Sequence, residues 1–199
     1  TFGCSRYIFN NYLYNRKQLF KVTGETISVN NYKKTILTPL KKVATFLKEV
    51  DKFALEVAVE NVQDAYDRFF KHQNKFPKYK KKKLSKHSYT TKFTNNNIRI
   101  NSQGSPDGYK KEQTVQLPKL GEISFAMPKK SNSVKLSSLD KLKQGIARIT
   151  KATISQNGNR YYVSLAIEEV VDSITPLDIT TIDYSKIIGL DLGIKTFAI

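Results

Sequence analysis

Between Arg68 and Pro106 the chain carries eleven lysines and arginines and not one acidic residue. The densest run is Phe76-Pro77-Lys78-Tyr79-Lys80-Lys81-Lys82-Lys83-Leu84-Ser85-Lys86-His87. Unpaired charge is costly to bury, and like charges crowded this closely repel one another unless a polyanion neutralises them. The run is therefore a surface bridge between two differently patterned parts of the chain. Lys78, Lys80, Lys81, Lys82, Lys83 and Lys86 are candidates to meet phosphates, with Phe76, Tyr79 and Tyr89 interleaved to stack on bases. The plainer alternative is a solvated lysine loop.

The part before the bridge reads as helix. Ile8, Phe9, Tyr12 and Leu13 recur at helical spacing, and Leu19 and Phe20 extend the stripe. A polar loop covers 23–31. Thr38-Pro39 predicts a helix start, with an apolar face of Leu40, Val43, Ala44, Leu47 and Val50. Asp51 is placed to cap another helix, whose stripe is Leu55, Ala58, Val59, Val62, Ala65, Tyr66 and Phe69, widened by Phe70. These stripes are best understood as the core of a small bundle.

The part after the bridge reads as strand. Segments 93–100, 114–120, 122–127, 149–154 and 161–167 are predicted strands, and Ser105-Pro106-Asp107-Gly108 is a turn. Pro118 marks an edge or a bulge. Asn157-Gly158, between the last two runs, is a strong hairpin signal. Short strands at this spacing suggest a small barrel. Residues 168–185 look like a linker into a final strand.

The formal charge of +17, from 34 basic and 17 acidic residues, points to a polyanionic partner, most simply nucleic acid. A single cysteine, Cys4, excludes an internal disulfide and fits a reducing compartment. No Cys/His cluster suits a zinc finger. No apolar run approaches membrane-spanning length, and no signal peptide is visible. The chain begins without Met in an apparent helix and stops within an apparent strand pair, so it is expected to be a piece of a longer protein.

Its last stretch is Ile187-Ile188-Gly189-Leu190-Asp191-Leu192-Gly193-Ile194-Lys195-Thr196-Phe197-Ala198-Ile199. On a strand, Ile188, Leu190 and Leu192 share one face, and Asp191 shares the other with Gly189 and Gly193. A carboxylate in an apolar strand needs a partner or a metal, and flanking glycines leave room for one. A strand end with Asp191 capping a local turn fits the spacing equally well.

Helices, a lysine bridge, small strands and then an Asp strand resemble, in that order, the TnpB (OrfB) proteins of bacterial insertion sequences. These are transposon-encoded RNA-guided DNA endonucleases, known as transposases and related to type V CRISPR effectors. The resemblance runs through Gly3-Cys4-Ser5-Arg6-Tyr7-Ile8-Phe9-Asn10, Ala65-Tyr66-Asp67-Arg68-Phe69-Phe70, Phe76-Pro77-Lys78-Tyr79-Lys80, Leu117-Pro118-Lys119-Leu120-Gly121, Tyr161-Tyr162-Val163-Ser164 and Gly189 to Lys195. It implies an α+β chain: a helical recognition bundle over 1–72, an antiparallel wedge barrel over 73–175, and over 176–199 a linker and the first strands of a ribonuclease-H-like RuvC domain. It further implies nucleic-acid contacts at Arg6, Tyr7, Thr90, Lys119 and Lys195. Where the family usually has glutamines before the Asn61-Val62-Gln63 turn, this chain has Glu56 and Val57, so a contact to the DNA motif beside the target is expected to differ.

By the same resemblance Asp191 is the first catalytic carboxylate and a ligand of Mg2+, which suits oxygen ligands. The remaining acids and a zinc ribbon are expected beyond residue 199. The implied partners are guide RNA and target double-stranded DNA, with no membrane, in the cytoplasm at the nucleoid. A nuclease-dead RNA-guided repressor is the alternative. An actin-like ATPase, which also uses a Gly-x-Asp-x-Gly strand, fits the basic prelude poorly.

Overall fold

The structure, a computed structural model, describes residues 1–104, 111–126, 138–169, 183 and 185. Two compact units partition the chain, Thr1–Glu169 and Val170–Ile199. All the elements named here belong to the first. The Gly189–Lys195 stretch lies outside the described residues, as do the 105–108 turn and most of the 168–185 segment.

Helices α1 (Phe2–Thr23) and α4 (Lys52–Phe70) form the scaffold. They run parallel: the Ser5 hydroxyl meets the Ala54 carbonyl near their starts, and Arg16 donates to Gln63 nearer their ends. The buried stripe of α1 is Ser5, Ile8, Phe9, Tyr12, Leu13 and Arg16. It does not extend to Phe20, which stands in the open. Arg16 takes the inner position instead, because its guanidinium lies 4.2 Å over the Tyr66 ring and its charge finds Gln63. Helix α4 buries Leu55, Ala58, Val59, Val62 and Tyr66 as the pattern predicts, and Asp51 caps it by accepting from the Ala54 N–H at 3.1 Å. Phe70 does not widen the buried stripe.

The segment joining α1 to α4 departs from its predicted form. Helix α2 (Val29–Tyr32), capped by Ser28, widens into a π-helical turn over Lys33–Leu37 and continues as α3 (Thr38–Val43). Thr38 is thus inside a helix, its N–H bonded to the Lys33 carbonyl, and is not a start. Pro39 explains the widening. It has no N–H to give the preceding turn, and its ring crowds the carbonyl four residues back. The helix then breaks at Ala44 and resumes as a 3-10 turn, Thr45–Lys48. Val43 therefore faces solvent, whereas Leu47 is buried.

The strands make two three-stranded antiparallel sheets. One has the order β1 (His87–Lys92), β5 (Ala147–Asn157), β6 (Arg160–Glu169), and the other β2 (Arg99–Gly104), β3 (Lys111–Leu117), β4 (Gly121–Phe125). A short helix, α5 (Ser138–Lys143), precedes β5. The predicted Asn157-Gly158 hairpin is present, with Gly158 at φ 57°, a left-handed conformation that suits glycine. Strand β3 ends before Pro118, which cannot donate to the ladder.

The predicted closed barrel is corrected: no ladder joins the two sheets among the described residues. Closure needs continuous pairing around the ring. Here the sheets instead share one core, with Tyr89, Ile149, Ala152 and Ile154 from one and Ile98, Val115 and Leu117 from the strands and approach of the other. Residues from both sheets also line an open apolar trough of about 730 Å³. Among the described residues, no helix is long and apolar enough to cross a membrane.

One carboxylate ties three elements. Glu60 on α4 accepts from Lys33 at 2.8 Å and from Lys92 of β1 at 2.7 Å. Burial pushes its carboxyl up, but the hydrogen bonds and charges of the two lysines outweigh burial, so its pKa lies below the ordinary 4.5. A depressed carboxylate stabilises the fold above its unfolded pKa. That contribution fades as pH falls through the lower folded value. Glu60→Gln should therefore be less stable than wild type at pH 7, and the gap should close on acidification below about pH 4.5. Thermal melts from pH 7 to pH 3 measure it. A gap that persists unchanged to pH 3 would show that the ion pairs contribute nothing.

Candidate nucleic-acid interface

The bridge is built by helix α1. After Phe70 the chain turns at His72 (φ 56°), with the Gln73 N–H returning to the Arg68 carbonyl. It then runs back along α1, opposite to the helix direction. Phe76 and Tyr79 flank Lys17, whose ammonium lies 5.0 and 4.8 Å from their ring centres. The Asn10 amide then donates to the Lys80 carbonyl at 2.9 Å and accepts from the Lys80 N–H at 2.8 Å. By residue 87 the chain has reached the start of α1, where His87 stacks on Phe2. From Lys17 to Phe2 the helix rises about 22 Å.

The lysine-rich turn is fixed at both ends. The Lys81 N–H donates to the Ser85 hydroxyl at 2.9 Å, and the Ser85 N–H to the Lys81 carbonyl at 3.0 Å. His87 donates from Nε2 to the Lys82 carbonyl at 2.7 Å, which sets its tautomer. Lys78, Lys81, Lys82, Lys83 and Lys86 are exposed, and among the described residues none of them pairs with a carboxylate. By contrast Lys33, Lys52 and Lys92 share two carboxylates, Glu56 and Glu60. The turn thus carries a cluster of uncompensated positive charge on a backbone that is already ordered, which lowers the entropic cost of gripping a polyanion.

The other predicted contacts fall in several places. Arg6 is half-buried and, with Asn61, Lys86, His87 and Ser88, lines a narrow polar cleft of about 20 Å³ between α1, α4 and β1. Tyr7 is partly exposed and meets Phe46 edge-on at 5.8 Å. Thr90 is half-buried, its hydroxyl 2.8 Å from that of Thr153. Lys119 stands exposed in the β3–β4 turn with φ 64°. Asp191 and Lys195 lie outside the described residues.

Two predicted contacts read differently in place. Tyr89 is a core side chain: its ring is 6% exposed and packs 5.7 Å from Phe2, so it has no free face for a base. Burial, with the nearby Asp51 charge, raises its phenol to about 12. It sits on β1, a strand hidden in the sequence by the lysines before it. Lys80 points inward, its ammonium 4.1 Å over the Phe9 ring, and burial lowers its pKa. Asn10 and Lys17 hold the bridge, a role the sequence did not show, because their partners lie some sixty to seventy residues away.

Among the described residues, no group of three or more His, Cys, Asp or Glu could hold a metal ion. No protein-family model matches the chain. It is similar to a protein of Streptomyces pristinaespiralis named "Putative RNA-guided DNA endonuclease", with 30% identity over 203 aligned positions. The match covers 98% of this chain and 42% of that protein, so the chain spans about two fifths of its relative's length.

Replacing Lys81, Lys82 and Lys83 by Ala should flatten the salt dependence of nucleic-acid binding by about 0.9 in slope for each phosphate no longer neutralised, with the melting temperature unchanged. Lys80→Ala should leave the slope alone and lower the melting temperature, since it removes packing against Phe9. Tyr89→Ala should cost about 3–5 kcal/mol of folding stability. A triple-lysine variant with the wild-type slope would return the turn to a solvated loop.

Proposed function

We propose that this chain is the nucleic-acid-binding part of a transposon-encoded RNA-guided DNA endonuclease of the TnpB (OrfB) type. The observation that carries the reading is the similarity, over 98% of this chain and the whole acid-free bridge, to a protein named "Putative RNA-guided DNA endonuclease". The geometry of the bridge supports it: exposed lysines on an ordered turn suit a phosphate backbone of either RNA or DNA. In this reading guide RNA and target double-stranded DNA are the partners. Base pairing with the guide selects the target, while the protein holds backbone and a short flanking motif. Residues 1–72 act as the recognition helices, 73–175 as the wedge, and 176–199 lead into the RuvC nuclease.

Asp191 is then the chain's contribution to catalysis. Its carboxylate would be one ligand of a Mg2+ site completed by acids elsewhere in the full protein. Holding two magnesium ions, as the resemblance implies, such a site would stabilise the attacking and leaving oxygens of a phosphodiester. The fragment by itself binds and does not cut.

The test uses the complete protein with its guide RNA. Asp191→Asn keeps the shape of the side chain and removes its charge. It should abolish magnesium-dependent cleavage and leave target binding within a few-fold of wild type. Cleavage at the wild-type rate by the Asn variant would make Asp191 a structural cap. A wild-type protein that binds its target and never cuts would favour the nuclease-dead repressor.

A further inference from the structure

Four aromatic side chains stand in the open where α1 and α4 end. Phe20 is 60% exposed, Phe70 67%, and Phe76 and Tyr79 44% each. Phe20 lies one helical turn beyond Lys17 on α1. The other three belong to the end of α4 and the segment that leaves it. Phe70 and Phe76 are held from beneath, and Tyr79 meets Lys17. Phe69 meets Phe70 at 5.3 Å and Phe76 at 5.2 Å, both edge-on, and Tyr66 meets Phe76 at 5.5 Å and 90°. Tyr66 is itself buried under the Arg16 guanidinium. Phe76 is therefore positioned by packing, though nearly half of it faces solvent. Exposed aromatic rings gathered on one short segment and fixed by packing suit a binding surface.

Charge identifies the occupant. Lys17 sits between the Phe76 and Tyr79 rings, and Arg68, Lys71, Lys75 and Lys78 are exposed along the same segment. The acids nearest in sequence, Asp64 and Asp67, precede the ledge on α4, and Asp67 is already engaged by the Gln63 amide at 2.7 Å. A purely apolar partner would leave the lysines without a role. A duplex offers phosphates but keeps its base faces stacked away from a protein ring. Unpaired nucleotides offer both a phosphate and a bare π-face, one for each kind of side chain here.

We infer that this ledge, centred on Phe76 and Tyr79, binds a single-stranded stretch of nucleic acid by base stacking, beside the lysine turn that grips phosphates. The inference rests on the nucleic-acid reading of the bridge and adds strand state to it. Stacking is indifferent to base identity, so the ledge tolerates any sequence and discriminates against paired strands.

The experiment measures binding of the 199-residue chain to two labelled probes, a 15-nucleotide oligo(dT) and a 15-base-pair blunt duplex, by fluorescence anisotropy. Tyr79→Ala should weaken oligo(dT) binding roughly 5- to 150-fold and leave duplex binding within about twofold, with the salt slope unchanged. Tyr79→Phe keeps the ring and should bind like wild type. Phe76→Ala should act in the same direction, and thermal unfolding checks that it remains folded. Equal losses on both probes, or no loss on oligo(dT), would overturn the ledge while leaving the lysine turn as a phosphate site. A wild-type chain that binds neither probe would overturn the bridge reading first. Sedimentation that shows Tyr79→Ala dissolving a dimer, with oligo(dT) binding intact, would make the ledge a protein contact and also end the proposal.

Discussion

The side chain of Asn10 and the backbone of Lys80 exchange two hydrogen bonds, and the placement of the basic bridge depends on that exchange. Two lysines about 7 Å apart in water repel by about 0.6 kcal/mol, so a run of four in sequence gains nothing by staying compact. Each hydrogen bond contributes about 1 kcal/mol net. The two to Asn10, with the burial of Lys80 over Phe9, are large enough to hold the middle of the run against several such repulsions. The bridge can then turn sharply after Lys81 and deliver the chain to β1 beside the start of α1. Without this anchor the aromatic ledge and the lysine turn would have no defined separation.

The acidic residues are distributed to the same end. Glu56 and Glu60 face the lysines of the π-helical turn and of β1, where the helices meet the first sheet. They bind elements together at a junction and leave the bridge uncompensated. A chain with +17 net charge pays for its solubility with self-repulsion. Pairing Lys33, Lys52 and Lys92 relieves that repulsion where the helices meet the first sheet and leaves the exposed lysine turn to a polyanion.

The two long helices and the last hairpin were legible because their signals are local. The Asp51 cap, the α4 stripe and Asn157-Gly158 each lie within a few residues of what they govern. The β1 strand was not legible, since His87–Lys92 alternates burial through Tyr89 and Thr91 only once β5 pairs with it. The α3 segment misled because Thr38-Pro39 has the composition of a helix start, whereas a π-helical turn absorbs the proline and the helix runs through. Barrel closure was inferred from strand number and spacing, which carry no information on whether the edges of two sheets meet. In the candidate site the lysines were visible as a run. Which of them faces inward was not, because Lys80 is distinguished from Lys81 only by contacts to Asn10 and Phe9.

That single difference in direction changes what the run can do. If all four lysines pointed outward from an extended strand, they would make a diffuse basic stripe that attracts any polyanion. With Lys80 turned into α1, the charge separates into a cluster at Lys81–Lys83 and Lys86 and a second group around Lys17, Lys75 and Lys78 where the aromatic rings stand. Charge alone occupies the first group, and charge with exposed π-faces occupies the second. Helix α1 supports both, through Phe2 at one end, Asn10 in the middle and Lys17 toward the other. A helix of that length fixes the spacing between the two, so that in the proposed reading a phosphate-only grip and a stacking ledge lie at set positions along one strand.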